Sequence, residues 1–251
     1  MQGSPFWVVR EVFGLVMGRD EEEPRFRTVE GVKFRTVYPR SGASLSARLS
    51  RWAAARTLAG ENIREAVFLT TEPRERGAFE RRGIAPIACA PLYRATAEAI
   101  VRRVMTQRGL VAGRATIAFA AEELTPEFRR MVERLCGEVR YVLLRVPGAE
   151  ELARKLQQRY GVAARPWQSS AAPRADLCVV FGSAEAGGEA LRVGENLNVV
   201  YESEHPNALL SALLRAGALA PEALAVRSVR PFGGETEKET EKTCKTGEGS
   251  L

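Results

Sequence analysis

The chain has 251 residues, of which 45% are hydrophobic and 27% are charged, and its formal net charge at pH 7 is +6. This composition is that of an ordinary folded protein and excludes the disordered and transmembrane extremes. The four cysteines have no C-x-x-C spacing and there is one histidine, so neither a disulfide framework nor a metal site is indicated. The apolar start of the chain is interrupted by Arg10-Glu11 and lacks the features of a signal peptide. We therefore expect a cytoplasmic protein without a membrane segment.

Residues 25–38 contain the sequence FRTV on both sides of a Glu-Gly turn signal, which predicts a β-hairpin. We favour a three-residue loop, Val29 to Gly31, because it places Phe26 opposite Phe34 and separates a core face from a cationic face. Four cations then share the second face: Arg25, Arg27, Lys33 and Arg35. They are candidates for anion or nucleic-acid binding. The acidic run at 20–23 can neutralise them, so a solvated face is the better interpretation.

The next elements predict a small α/β lobe. A helix is expected from about Ser44 to Ala59, followed by a strand at 66–70, a helix at 77–82 and a strand at 84–88. A long helix from about Leu92 to Arg108 then leads into the second lobe. In the helix at 44–59 we expect a core face and a solvent face, with Leu45, Leu49, Trp52 and Ala59 in the core and Arg48 and Arg51 outside.

The second lobe reads as alternating strands and helices. A strand at 115–120 leads to a helix that has Thr125 as N-cap and Pro126 at its first position. A strand at 139–145, a helix at 149–160 and a fully apolar strand at 176–181 follow. Such a succession predicts one parallel sheet. Further along, residues 190–201 suggest a second hairpin or a sheet edge, and a helix at 207–216 and a strand at 224–229 close the lobe.

The predicted organisation has four parts. Residues 1–91 form an N-terminal α/β lobe, residues 92–112 a connecting helix, residues 113–232 a Rossmann-like lobe and residues 233–251 a tail. The tail has no aliphatic residue before its last position and is expected to be disordered. We assign no role to its Cys244.

Residues 114–163, followed by the sequence ADLCVVF at 175–181, resemble the cofactor domain of the shikimate dehydrogenase and glutamyl-tRNA reductase type. The resemblance implies a Rossmann-like fold, with a mostly parallel sheet flanked by helices. It also implies that Arg145 stands where these families place an arginine for the 2′-phosphate of NADP. Ala175-Asp176 matches the opening of their fourth strand.

The glycines of a dinucleotide-binding turn are missing, because no residue from 115 to 136 is glycine. Such a turn needs glycine so that the backbone can approach the pyrophosphate. Residues 120–127 instead supply three carboxylates, which we expect to complement the dipole of the following helix. The ligand crevice of the sheet would still be lined by four candidates: Thr125, Arg145, Gly182 and Ser183.

These features favour a non-catalytic binding or regulatory protein without a cofactor, built on a dehydrogenase-like scaffold. No catalytic residues are assigned, because His205 stands in a polar turn and no nucleophile motif is present. One alternative is an NADP-dependent oxidoreductase with an atypical phosphate turn, and a second is a nucleic-acid-associated protein that uses the hairpin. The partner is expected to be a small molecule or a protein, whereas nucleic acid is disfavoured.

Overall fold

The computed structural model describes residues 13–17, 25–69, 75–167, 174–184, 190–194 and 197–231. These residues form two five-stranded sheets and one two-stranded sheet. Residues 1–12 and the predicted tail at 233–251, with Cys244, lie outside the described residues. No helix in the described ranges has both the length and the apolar character that a membrane crossing requires.

The N-terminal sheet has the strand order β2-β3-β1-β4-β5, in which every neighbouring pair is parallel except β2 and β3. Its strands are β1 (Phe13–Val16), β2 (Phe26–Val29), β3 (Val32–Val37), β4 (Glu65–Phe68) and β5 (Ala85–Pro86). Two helices connect them, α1 (Leu45–Gly60) and α2 (Gly77–Glu80). The predicted hairpin and the predicted helix at 44–59 are confirmed.

The register predicted for the hairpin is wrong. Val29 pairs with Val32, so the loop has two residues, Glu30 and Gly31, both with positive φ (46° and 74°). This is the geometry of a tight hairpin turn that matches the twist of its strands. Phe26 consequently pairs with Arg35 and is exposed. Because β2 is the edge of the sheet, nothing requires Phe26 to be buried, and the Lys33 Nζ atom lies 4.2 Å from its ring centroid.

The face that α1 presents to the core is also different from the prediction. Leu45, Leu49 and Trp52 are exposed, whereas Arg51 is buried. The core side of the helix consists mainly of small residues, which allow the helix to approach the sheet closely: Ala47, Ala55 and Leu58. Arg51 is tolerated there because its Nη1 donates to the carbonyls of Arg40 and Gly42 and pairs with the Glu75 carboxylate.

The predicted connecting helix is divided at Thr96 into α3 (Ala90–Ala95) and α4 (Ala97–Gln107). One apolar stripe is nevertheless buried along both halves: Tyr93, Ala97, Ile100, Val101 and Val104. The last helix, α7 (Asn207–Arg215), returns to the N-terminal sheet. Its Leu209 and Leu213 are buried in one cluster with Phe13, Leu15 and Val67.

The C-terminal sheet has the order β10-β9-β6-β7-β8, and all its strands are parallel. Its strands are β6 (Thr116–Ala121), β7 (Tyr141–Arg145), β8 (Ala163–Pro166), β9 (Leu177–Phe181) and β10 (Leu191–Val193). Helices α5 (Pro126–Leu135) and α6 (Ala149–Tyr160) lie between β6 and β8 in the chain. In chain order the strands run 3-2-1-4-5, which is the order of the first five strands of the doubly wound Rossmann fold. The predicted Rossmann-like α/β fold is confirmed.

The second predicted hairpin does not form, although the alternative of a sheet edge is correct. β10 adds to the edge of the C-terminal sheet by parallel pairing with β9. The next strand, β11 (Leu197–Tyr201), pairs antiparallel with the last strand, β12 (Val226–Pro231). Of the two strands β10 and β11, only β10 therefore belongs to the C-terminal sheet.

The start of α5 supports a stability prediction. Thr125 has an extended backbone, and its Oγ1 accepts a hydrogen bond from the Phe128 backbone N–H (3.3 Å), as the sequence predicts. We expect Thr125→Ala to lower the free energy of unfolding by about 1 kcal/mol, because the N–H loses its partner. Thr125→Ser keeps the hydroxyl and serves as the control in urea unfolding. An equal loss in both variants would contradict the capping role.

Candidate functional site

The switch point of the C-terminal sheet lies between β6 and β9, because the chain extends from β6 to β7 and β8 on one side and returns to β9 and β10 on the other. Open α/β sheets bind ligands outside the carboxyl ends of their strands at such a point. Glu122 directly follows β6, and Gly182 and Ser183 directly follow β9. A ligand at the switch point would therefore meet these three residues.

A carboxylate and a hydroxyl lie together at this switch point. Ser183 Oγ donates a hydrogen bond to Glu122 Oε1 at 2.5 Å. Gly182 has a left-handed backbone (φ +71°), and a Cβ at this position would lie 3.9 Å from Glu122 Oε2. The carboxylate thus extends over the turn that follows β9. A side-chain anion lies here, where a dinucleotide-binding turn would present backbone amides to a pyrophosphate.

The four predicted crevice residues have different surroundings. Gly182 and Ser183 are adjacent, and the Ser183 hydroxyl binds the Glu122 carboxylate, a contact that no sequence pattern predicts. The Thr125 hydroxyl is used in capping α5. Arg145 ends β7 and is in register with Ala120 of β6, so it lies on the neighbouring strand of the same sheet edge.

A cavity of about 520 Å³ lies beside Arg145, at the carboxyl ends of β7 and β8. This volume is in the range of small-molecule sites. The start of α6 forms part of its wall, with Gly148 as N-cap (φ +76°) and no side-chain cap. The positive end of a helix and a guanidinium therefore face one cavity, and Glu150 is the carboxylate that lines it.

Trp167 lines the same cavity and was not among the predicted residues. The Arg145 guanidinium lies 5.5 Å from the centroid of its ring. Its Nε1 is buried and, among the described residues, has no hydrogen-bond partner. A buried indole N–H usually has a partner. Trp167 directly follows the short strand β8, and its contact with Arg145 depends on strands β7 and β8 being neighbours, which no local sequence pattern indicates.

The four hairpin cations do not share one face. In the observed register Arg27 is opposite Phe34, on the face that β3 turns to the core, whereas Lys33 and Arg35 lie on the other face. Arg35 is bound to the Glu61 carboxylate (Nε to Oε1, 2.7 Å), and its Nη1 donates to the Arg25 carbonyl (2.9 Å). The cationic face required for nucleic-acid binding is therefore divided.

The only histidine of the sequence lies at the turn of this hairpin, with His205 Nε2 4.0 Å from Glu30 Oε1. Three cysteines are described, and burial raises the pKa of each thiol: Cys89, Cys136 and Cys178. They are consequently protonated at neutral pH and poor nucleophiles. In the described ranges no three His, Cys, Asp or Glu side chains approach one another closely enough to bind a metal ion.

A buried polar network links the helix pair α3 and α4 to the second lobe. Thr96 Oγ1 donates to the Leu92 carbonyl, so Tyr201 OH is the donor in their 2.6 Å hydrogen bond. Asn207 Nδ2 donates to the Tyr93 hydroxyl (3.1 Å) and to the Val199 carbonyl (2.7 Å). Burial raises the pKa of Tyr201 and of Tyr93. These hydrogen bonds connect α3 and the start of α7 with β11.

No protein-family model matches the chain, and no curated protein sequence matches it. The solved structures that resemble it include the L-tryptophan dehydrogenase of Nostoc punctiforme, with 10% sequence identity, a TM-score of 0.30, and coverage of 68% of this chain and 56% of that chain. A protein from Leishmania major Friedlin described as an aspartate carbamoyltransferase has 14% identity, a TM-score of 0.27 and coverages of 68% and 61%. The corresponding Trypanosoma cruzi protein has 12% identity, a TM-score of 0.26 and coverages of 67% and 62%. The chain thus spans less than two thirds of each structure, and its fold class rests on its own strand order.

Proposed function

We propose that this protein is a non-catalytic binding protein, in which a Rossmann-like sheet binds a small anionic molecule instead of a dinucleotide. The observation that carries the proposal is the hydrogen bond between Glu122 and Ser183 at the switch point. A diphosphate placed there would have to displace the hydroxyl and lie beside the carboxylate. Each such carboxylate contact costs on the order of 1 kcal/mol even in water.

The cavity beside Arg145 is the binding site that we propose for this small anion. It combines a guanidinium, the amides at the start of α6 and the flat ring of Trp167. Helix N-termini and arginines both favour carboxylate or phosphate groups. The location of His205 at the hairpin turn and the protonated thiols support a binding role over a catalytic one.

A second candidate function, an NADP-dependent oxidoreductase, is favoured by one observation. Arg145 lies at the carboxyl end of β7, beside a cavity large enough for part of a nucleotide. In this alternative the Glu122 side chain would have to leave the crevice when the cofactor binds.

Thermal unfolding with 1 mM NADPH, NADH or ATP separates the two functions. A dinucleotide at 100 times its dissociation constant adds about 2.7 kcal/mol of stability, and for a protein of this size each kcal/mol raises the midpoint by about 2–4 °C. We expect each of the three nucleotides to raise the unfolding midpoint by less than about 1 °C. A rise of several degrees with NADPH would establish the alternative and refute our proposal.

The small-anion site is tested in the same assay with phosphate, pyrophosphate and citrate. At least one of them is expected to raise the midpoint of the wild-type protein, and the rise should be absent in Arg145→Gln. Arg159→Gln, which removes an exposed cation at the end of α6, is the matched control. If none of the three anions stabilises the wild type, or if both variants respond equally, the assignment to the Arg145 cavity is wrong.

A further inference from the structure

The outward face of α1 carries three large apolar side chains. Leu45 is 69% exposed, Leu49 59% and Trp52 44%. They are spaced at i, i+4 and i+7, so they form one stripe along the helix. This stripe forms one wall of a groove of about 660 Å³ between α1 and α2, which we call the α1–α2 groove; Arg48, Ala78 and Arg81 also line it.

The orientation of α1 keeps this stripe exposed. A rotation that buried the leucines would remove Arg51 from the carbonyls of Arg40 and Gly42 and from the Glu75 carboxylate. The helix is thus held with its larger apolar side chains toward solvent. Exposed apolar patches of this kind commonly mark binding surfaces.

The charges around the groove define the chemistry of its partner. Arg48 and Arg81 line it, and the guanidinium groups of Arg56 and Arg82 lie 5.6 Å and 4.8 Å from the Trp52 ring. Glu75 is the one carboxylate among its described lining residues. Its Oε1 already accepts from Arg51 Nη1 (3.1 Å) and from the Gly42 backbone N–H (2.7 Å). The groove therefore combines an apolar wall with surrounding arginines (Arg48, Arg56, Arg81 and Arg82), which we call its cationic rim.

We propose that the α1–α2 groove binds an acidic amphipathic helical segment of a partner protein. The apolar side chains of such a segment would pack against Leu45, Leu49 and Trp52, and its carboxylates would meet the arginines of the rim. A second copy of this chain fits poorly, because it would bring the same arginines against the rim. A concave groove also suits a helix better than a flat membrane. The proposal concerns the N-terminal lobe and does not depend on the small-anion site.

Selection from a displayed library of random 16-residue peptides tests the proposal. The full chain is the bait, and peptides that also bind Leu49→Asp are discarded. We expect the retained peptides to be acidic, with apolar residues three and four positions apart. Their affinity, measured by fluorescence anisotropy, should fall at least tenfold in Trp52→Ala and in Arg48→Glu/Arg81→Glu, and should weaken as salt is added.

Matched control variants separate the groove from general surface effects. Val111→Asp changes a side chain that is 60% exposed elsewhere, and Arg114→Glu reverses an exposed cation. Neither should change peptide affinity, and thermal midpoints confirm that all variants fold. Retained peptides that are cationic or uncharged, or a library without any peptide that depends on Trp52, would overturn the proposal. If the wild-type protein self-associates and Trp52→Ala does not, the groove binds a second copy of this chain and not an acidic partner. Trp52-dependent binding to phosphatidylglycerol vesicles, without peptide binding, would assign it to membranes.

Discussion

Replacing Arg51 with leucine is expected to lower the free energy of unfolding by about 3–5 kcal/mol. The Glu75 carboxylate has a side chain that is only 10% exposed, and it would lose its cationic partner. The carbonyls of Arg40 and Gly42 would lose a donor at the same time. An unpaired charge in such a position costs far more than the loss of an exposed ion pair.

Two comparisons make the Arg51 experiment specific. Arg48→Leu removes an exposed arginine from the same helix and should change the free energy of unfolding by less than about 0.5 kcal/mol. Adding Glu75→Gln to Arg51→Leu removes the unpaired charge but keeps an acceptor for the Gly42 N–H. We expect this double variant to regain at least about 1 kcal/mol in urea unfolding. Similar costs for Arg48→Leu and Arg51→Leu would show that Arg51 does not anchor the helix.

The second large effect is expected at alkaline pH. Tyr201 is 5% exposed, and burial holds its pKa far above the value near 10 of an unfolded tyrosine. Its contribution to stability is therefore complete below about pH 10 and is lost as the pH rises toward the folded-state pKa. The slope approaches about 1.4 kcal/mol for each pH unit, and the loss between pH 10 and pH 12 is at most about 2.3 kcal/mol, because half of the unfolded tyrosine is still protonated at pH 10. Tyr93, whose pKa is raised in the same direction, adds to this loss.

Conservative variants isolate the contribution of Tyr201. Tyr201→Phe keeps the ring but removes the ionisable hydroxyl and its hydrogen bond to Thr96, so the variant is less stable at pH 7 and its stability falls less steeply above pH 10. Tyr141→Phe, at a site that is 40% exposed, should keep the wild-type slope. Urea unfolding between pH 8 and pH 12 measures both. Equal slopes for wild type and Tyr201→Phe would contradict the assignment.

The sequence predicts the C-terminal sheet well because its signals are local and mutually consistent. The apolar strand at 176–181 becomes the buried strand β9, and the Thr125-Pro126 pair begins α5 as expected. The orientation of α1 could not be predicted in this way. Its sequence contains two apolar stripes, and side-chain size favours burial of the one formed by Leu45, Leu49 and Trp52. The structure instead buries Ala47, Ala55 and Leu58, because carbonyls of the preceding loop and the Glu75 carboxylate, 24 positions away, satisfy Arg51.

The site shows the same division between local and long-range information. Gly182, Ser183 and Arg145 could be predicted as site residues because each lies at the end of a strand that the sequence pattern indicates. The contact of Glu122 with Ser183 joins residues 61 positions apart, and Trp167 meets Arg145 only because β8 is the neighbour of β7. The predicted hairpin register is wrong for a further reason. Phe26 lies on the edge strand β2, where burial is not required, so the separation of apolar from charged residues does not determine the register.

The return of α7 to the N-terminal sheet has a consequence for synthesis on the ribosome. Leu209 and Leu213 complete the cluster that buries Leu15 and Val67, although almost 200 residues separate them from Leu15 in the chain. This side of the N-terminal sheet therefore stays uncovered until α7 has left the exit tunnel. Long-range closure of this kind slows folding. The first of the two lobes to be translated therefore completes its core only after most of the second lobe has been made.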